Sequence, residues 1–175
     1  MTLRPADHEF APYYSRYISL VTETDILRAL EEQATQLAGL MDGVPPEREE
    51  FRYAPDKWSV REVLGHLIDG ERVFGYRAFC ISRGETAPLP SFDQSQYITR
   101  SDYKERSVAE LMQEFLLIRR TNVLFLRRLS EADWSQMGTA SNHPVSVRAL
   151  AFIMVGHARH HVNVLRASYG VAAEA

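Results

Sequence analysis

Apolar residues recur at intervals of three and four along four long stretches of the chain, and no stretch shows the sustained alternation of a half-buried strand. This pattern predicts four amphipathic helices. Their expected bounds are 24–41, 59–83, 107–129 and 146–169. Between the second and third of them, Pro88 and Pro90 predict an irregular loop over 84–102, and a polar loop is expected over 138–144.

The ends of the predicted helices carry their own signals. Ser59 is followed at the third position by Glu62, and Ser107 in the same way by Glu110. This spacing predicts a capping box, in which the serine accepts a hydrogen bond from a free backbone N–H and the glutamate reaches back. Glycine follows the second and fourth stretches at positions 84 and 170, where it suits a C-terminal cap.

Four helices of this length predict an all-α protein, a four-helix bundle. The 175 residues fit one domain, 1–175, with a core from about 11 to 169. The second link is longer than a tight helix–helix turn. We therefore expect it to cross the end of the bundle and to change the simple up-down order of the helices.

Composition and charge narrow the classes of function. The net charge of −3 and pI of about 6.1 argue against a nucleic-acid binder with a general basic surface. The lone Cys80 cannot form an intramolecular disulfide and is interpreted as a small buried hydrophobe. The first eight residues lack the apolar core of a signal peptide, and no apolar run could span a bilayer. A cytoplasmic protein without membrane contact is expected.

Three histidines lie close together near the middle of the fourth predicted helix. At about 100° per residue, His157 and His161 fall within about 20–30° of the centre of its apolar stripe, whereas His160 falls about 80–100° away. Side chains four residues apart present their rings on one helix face. Two imidazoles so placed can bind one metal ion, so His157 and His161 are candidate ligands.

The second helix offers a third histidine and two acidic residues. His66 lies at the border of the apolar stripe, beside Gly65 and Gly70, which would let a neighbouring helix approach. Asp69 either orients the His66 ring or is a solvated surface carboxylate. Glu71 lies near the stripe's centre; it either pairs with an arginine of another helix, Arg148 being a candidate, or lies near the metal.

Two further groups have ordinary structural interpretations. Aromatic side chains near the helix ends are expected to pack there rather than to line a cofactor site: Tyr13, Tyr14, Tyr17, Trp58 and Trp134. Arginine pairs of the third helix are expected on a solvated face: Arg119, Arg120, Arg127 and Arg128.

The segment from Tyr53 to Arg72 contains the run Trp58-Ser59-Val60-Arg61-Glu62-Val63-Leu64-Gly65-His66, and the later run is Gly156-His157-Ala158-Arg159-His160-His161. Together, in this order and about 90 residues apart, they resemble the two motifs of the DinB/YfiT-like superfamily. The stretch 88–97, with Phe92-Asp93-Gln94, is similar to that family as well. The resemblance spans about 11–169.

The resemblance implies a bundle with up-down-down-up topology. It also implies a metal ion, usually nickel or zinc, held by His66, His157 and His161, with His160 excluded. Homodimers formed through helix packing are common in the family. Its members include metal-dependent hydrolases and transferases that use a low-molecular-weight thiol.

Three histidines leave at least one coordination position open, which is typical of a catalytic metal site. The leading hypothesis is therefore a metal-dependent enzyme acting on a small molecule, either a hydrolase or a thiol S-transferase. A transferase would need basic side chains for its thiol, for which Arg72, Arg77 and Arg148 are candidates. The alternative is a non-enzymatic, stress-associated metal-binding or scaffold protein. DNA binding, which the superfamily's name raises, conflicts with the acidic charge.

Overall fold

A computed structural model of the chain describes residues 4–171, so the outermost residues of the predicted domain, 1–3 and 172–175, lie outside it. Four long helices form the body of the fold: α2 (Ile26–Asp42), α3 (Val60–Ser82), α5 (Val108–Leu126) and α7 (Val147–Tyr169). Shorter elements are α1 (Ser15–Ile18), α4 (Gln94–Arg100), α6 (Glu131–Ser135), β1 (Met137–Ala140) and β2 (His143–Ser146). The four predicted helices are thus present, with bounds that differ by three residues or fewer.

The predicted helix ends are also present. Ser59 and Ser107 each form the expected capping box, with Glu62 and Glu110 respectively. Gly84 and Gly170 both adopt the left-handed backbone conformation, with φ of 83° and 66°. Most residues avoid this conformation for steric reasons, and glycine adopts it readily, so it suits the position after a helix.

The bundle has an up-down-down-up order, as the resemblance implies. Arg61 at the start of α3 donates to the carbonyl of Lys104 just before α5, and the rings of Phe79 and Phe125 meet near their other ends, so α3 and α5 are parallel. Arg48, which follows α2, donates to the carbonyl of Tyr169 at the end of α7. Helices α2 and α7 therefore also run in one direction, opposite to the other pair.

Both predicted loops contain regular structure. The first, 84–102, includes helix α4, because Asp93 caps a short helix after the two prolines with its side chain. The second, 138–144, is a β-hairpin in which β1 and β2 pair antiparallel through a turn at Ser141 and Asn142. Leu89 joins this hairpin through hydrogen bonds with Thr139 and Ser141. The predicted polar loop over 138–144 is therefore a hairpin, whose two four-residue strands are too short to show sustained alternation.

A buried polar network lies in the middle of the bundle. Arg119 of α5 makes two hydrogen bonds to the carboxylate of Glu71 of α3, at 2.7 and 2.9 Å. It also donates to Gln33 of α2, whose amide donates to the carbonyl of Val155 of α7. Asn122 donates to Glu71 as well. One network therefore connects all four helices.

This network corrects two predictions. Glu71 pairs with an arginine as expected, but the partner is Arg119, while Arg148 pairs with Glu9 near the N-terminus. Arg119 is not solvated: it is 1% exposed, and Glu71 is 3% exposed. Helical periodicity places a residue on a face but does not identify its partner on another helix, so the sequence left this pairing open.

Two smaller features complete the fold. Cys80 is a free, partly buried thiol packed against the apolar core. It is less buried than the small buried hydrophobe that the sequence predicted. Among the helices within 4–171, none combines the length and the apolar character needed to span a bilayer.

Candidate metal centre

Three histidine rings from two helices converge inside the bundle. The ring centroids of His66, His157 and His161 lie 4.7, 4.7 and 4.8 Å apart, which makes a nearly equilateral triangle. Each residue offers one ring nitrogen to a group whose members all lie within 4.8 Å of one another. The structure thus brings together the residues predicted from helical spacing and from the family motifs.

The two helices approach closely enough because Gly70 of α3 lies beside the His157 ring. A Cβ atom at position 70 would lie 2.9 Å from Cε1 of His157, inside normal contact distance. In the same way, the ring of Tyr103 occupies the space that a side chain at Gly65 would fill. The sequence predicted that His66 lies at the border of the apolar stripe of its helix. In the structure it is only 2% exposed, because α7 covers this side of α3.

Aromatic side chains surround the three rings. Trp58 lies 4.9 Å from the His66 ring, centroid to centroid, and Tyr17 and Phe74 meet the His157 ring edge-on at 5.4 and 5.6 Å. The prediction that Tyr17 and Trp58 only pack at helix ends is therefore incomplete. The sequence carried no periodic signal for them, since Tyr17 belongs to a one-turn helix and Trp58 precedes α3.

The surroundings keep these imidazoles neutral. Burial lowers the pKa of His66 to about 4. Burial, followed by repulsion from His161 and His66, lowers the pKa of His157 well below its ordinary value. The pKa of His161 is lowered in the same direction by burial and then by His66 and His160. A neutral imidazole has a free lone pair, and this is the form that binds a metal ion.

The geometry of the ring nitrogens fits one shared ion. The Nε2 atoms of His66 and His157 lie 2.9 Å apart. Two nitrogens bound to one first-row ion at about 2.0–2.1 Å are separated by about 3 Å. The opposite nitrogen of His66, Nδ1, is buried without a hydrogen-bond partner among the described residues. Burying a polar atom unpaired is costly, and an ion bound at Nε2 would leave this Nδ1 unpaired, so the feature that fits a shared ion is the close approach of the two Nε2 atoms.

Asp69 and His160 lie near the triangle but do not belong to it. Asp69 accepts a 2.7 Å hydrogen bond from the hydroxyl of Tyr103, so its carboxylate holds the segment before α5 rather than the His66 ring. Burial raises the pKa of Asp69, and the Tyr103 bond opposes this. His160 is half-buried and lies beside Tyr17 and His161, at the flank where the helical count places it.

Two cavities lie against the triangle. His66 and His157 belong to the wall of the first, of about 230 Å³, which is called the aromatic cavity below. Its other lining residues are Tyr13, Tyr14, Tyr17, Phe74, Phe92, Gln94 and Ser141. His161 and His160 line the second, of about 360 Å³, together with Tyr53, Lys57, Trp58 and Tyr169 among others. The triangle thus borders two cavities.

The three arginines considered for a thiol differ in position. Arg72 pairs with Glu114 on the outer surface, and Arg148 pairs with Glu9. Arg77 is buried and donates to Ser141, whose side chain lines the aromatic cavity. Of the three, only Arg77 is connected to the aromatic cavity through these contacts.

Comparison with known proteins places the fold and the motifs in a family. A family model described as the DinB superfamily matches residues 29–165, more than three quarters of the chain. Among solved structures, YfiT from Bacillus subtilis is similar, with a TM-score of 0.73, 16% identity, and coverage of 97% of this chain and 95% of that one. It is described as a probable metal-dependent hydrolase with an unusual four-helix bundle topology. No curated protein matches the sequence. The chain therefore belongs to the DinB superfamily.

Proposed function

We propose that this protein is a metal-dependent hydrolase that acts on a small molecule, with His66, His157 and His161 as the ligands of one divalent ion. The observation that carries the proposal is the triangle of neutral, mostly buried imidazoles beside a cavity. The similar protein YfiT, which is described as a probable metal-dependent hydrolase, supports the same reaction class. Three imidazoles suit several first-row metals, and nickel or zinc is proposed here.

When bound, such an ion supplies Lewis-acid activation of water, or of a thiol in the transferase version. The chain's own residues supply the rest. His66, His157 and His161 offer neutral nitrogens, and the packing of Trp58, Tyr17 and Phe74 fixes the ring orientations. The aromatic cavity, at about 230 Å³, lies just below the usual range of ligand sites and so favours a small substrate.

The metal site is tested by elemental analysis of protein purified without added metal. We expect about one divalent ion per chain in the wild type, and loss of that ion in His66→Ala, His157→Ala and His161→Ala. His160→Ala is the matched control, because this histidine adjoins the triangle without belonging to it. Unchanged metal content in both His157→Ala and His161→Ala would refute the site.

The reaction class is tested with the metal-loaded protein and model electrophilic esters, with and without added bacillithiol or mycothiol. Ester hydrolysis that is independent of thiol, and that disappears in His157→Ala, is expected for the hydrolase. Turnover that requires thiol would assign the transferase instead. A metal-loaded protein inert under both conditions would favour the non-enzymatic alternative.

A further inference from the structure

Two arginines near the wall of the aromatic cavity lack an acidic partner within the described part of the chain. Among residues 4–171, no carboxylate lines the cavity. Of the acidic residues on the segments that flank it, Glu9 pairs with Arg148 and Glu23 pairs with Arg159. Asp93, between the lining residues Phe92 and Gln94, caps α4 by accepting the backbone N–H groups of Ser95 and Gln96. Two guanidinium groups next to the cavity, those of Arg16 and Arg77, form no ion pair within residues 4–171.

Arg16 does not itself line the cavity, but it contacts two of the rings that do. Its Cζ atom lies 3.8 Å from the centroid of the Tyr13 ring and 4.8 Å from that of Tyr17. Its Nη2 atom donates to the Tyr17 hydroxyl at 3.1 Å. Arg16 itself is exposed. The charge is therefore positioned by aromatic contacts while its remaining N–H groups stay available.

Arg77 lies behind the cavity wall and is 2% exposed. Its Nη2 atom donates to the carbonyl of Pro90 at 2.7 Å and to the Ser141 hydroxyl at 2.9 Å. Both acceptors are neutral, whereas a buried charge is ordinarily paired with an opposite one. Ser141, and Phe92 with its ring centroid 5.8 Å from the Cζ atom of Arg77, both line the cavity, so this positive charge is one residue removed from it.

We propose that the aromatic cavity binds a small aromatic molecule carrying one oxyanion group, a carboxylate or a phosphate, with Arg16 as its anion-binding residue and Arg77 as the buried charge that supports it. Five aromatic side chains line the cavity and can stack on or meet the edge of a ring. A guanidinium donates paired hydrogen bonds to either oxyanion. This inference rests on the proposed function, since it names the substrate class of that site.

The first test uses metal-free protein, so that an anion cannot bind through the metal. Phenylacetate, phenyl phosphate and the neutral phenylacetamide are titrated against chelator-treated protein, with binding followed by ligand-observed NMR. We expect at least one of the anions to bind about three- to tenfold more tightly than the amide, as a partly exposed charge pair allows. This preference should disappear in Arg16→Gln and persist in part in Arg16→Lys.

Arg128→Gln is the matched control, because it removes the same charge from an exposed position after α5, away from the cavity. It should leave the anion preference unchanged. An amide that binds as well as both anions in the wild type, or absence of binding by all three, overturns the proposal. So does an equal loss of preference in Arg16→Gln and Arg128→Gln, since that indicates only a general effect of net charge.

A second test uses the metal-loaded protein. The rate of metal removal by the dianionic chelator dipicolinate is compared with that by neutral 1,10-phenanthroline. Arg16→Gln should slow removal by dipicolinate about threefold or more and leave removal by phenanthroline unchanged; equal effects on both rates contradict the proposal. Metal content is measured first, so that failure of the histidine site is recognised separately from failure of the anion site.

Discussion

Gly70 shows how one absent side chain positions a functional one. In Gly70→Ala, the new Cβ would lie 2.9 Å from Cε1 and 3.1 Å from Nδ1 of His157, so the ring would have to shift from its position in the triangle. We expect metal affinity to fall by about tenfold or more, the size of effect seen when the support of a metal ligand is removed. Competition with a chromophoric chelator measures this affinity.

The control for this substitution is Gly39→Ala in α2. Within residues 4–171, apart from the adjoining residues and backbone of α2 itself, no atom lies within 4 Å of a Cβ at that position. Alanine should therefore raise the free energy of unfolding by about 0.5–1 kcal/mol through helix propensity and leave metal affinity unchanged. A Gly70→Ala protein that binds metal as tightly as Gly39→Ala would show that the His157 ring is not fixed by this contact.

The buried imidazoles also predict how the stability of the metal-free protein depends on pH. Burial lowers the pKa of His66 to about 4 in the folded state, against about 6.5 in an unfolded chain. Below pH 6.5 the unfolded state therefore binds more protons, and the free energy of unfolding should fall as the pH drops from 6.5 to 4. For His66 alone the loss is about 3 kcal/mol.

Urea unfolding in the presence of a chelator, at several pH values between 7 and 4.5, measures this dependence. His66→Gln should show a shallower dependence, because one depressed group is removed while a polar side chain is retained. An unfolding free energy that stays constant between pH 6.5 and 4.5 would show that the histidines are not desolvated as the structure describes.

At the scale of the elements, the network around Arg119 sets how the four helices meet. Arg119→Met would leave the Glu71 carboxylate buried without its partner and should lower the free energy of unfolding by about 3–5 kcal/mol. The double variant Glu71→Met with Arg119→Met should recover much of that loss, since a buried pair replaced by apolar side chains leaves no unpaired charge. Urea unfolding measures both.

An exposed ion pair provides the control. Arg28 and Glu32 form an i, i+4 pair on the surface of α2, and Arg28→Met should change stability little. A double Glu71/Arg119 variant no more stable than the single Arg119→Met would contradict the explanation by an unpaired buried charge. It would indicate instead that the network's hydrogen bonds to Gln33 and Asn122 carry the stability.

At the scale of the whole molecule, the up-down-down-up order explains where the site lies. Because α3 and α7 are adjacent and antiparallel, the first turns of α3 face the second half of α7, and His66 meets His157 and His161. The long link after α3 returns along the bundle and supplies Phe92 and Gln94 to the aromatic cavity. The predicted homodimer stays a prediction, as does a cytoplasmic location; the exposed leucines Leu117 and Leu124 of α5 offer an apolar surface for such a contact.

The sequence by itself determined the local features of this protein. Periodicity located the four helices, the capping boxes at Ser59 and Ser107 marked two of their starts, and the i, i+4 spacing placed His157 and His161 on one face. All of these depend on neighbours within one or two helical turns. His66 was predicted as a ligand from the family motif, because helical periodicity placed it only at the border of the apolar stripe.

Only the tertiary structure decided which residues from distant parts of the chain meet. In the tertiary structure Glu71 pairs with Arg119, and Tyr17 packs against His157. The Asp69 carboxylate accepts a hydrogen bond from Tyr103. Within residues 4–171 the tertiary structure also leaves Arg16 and Arg77, which contact lining residues of the aromatic cavity, without acidic partners. The physical reason is that helical periodicity fixes the angle of a side chain about its own axis, whereas partners depend on which helices are adjacent and how they are aligned along the bundle.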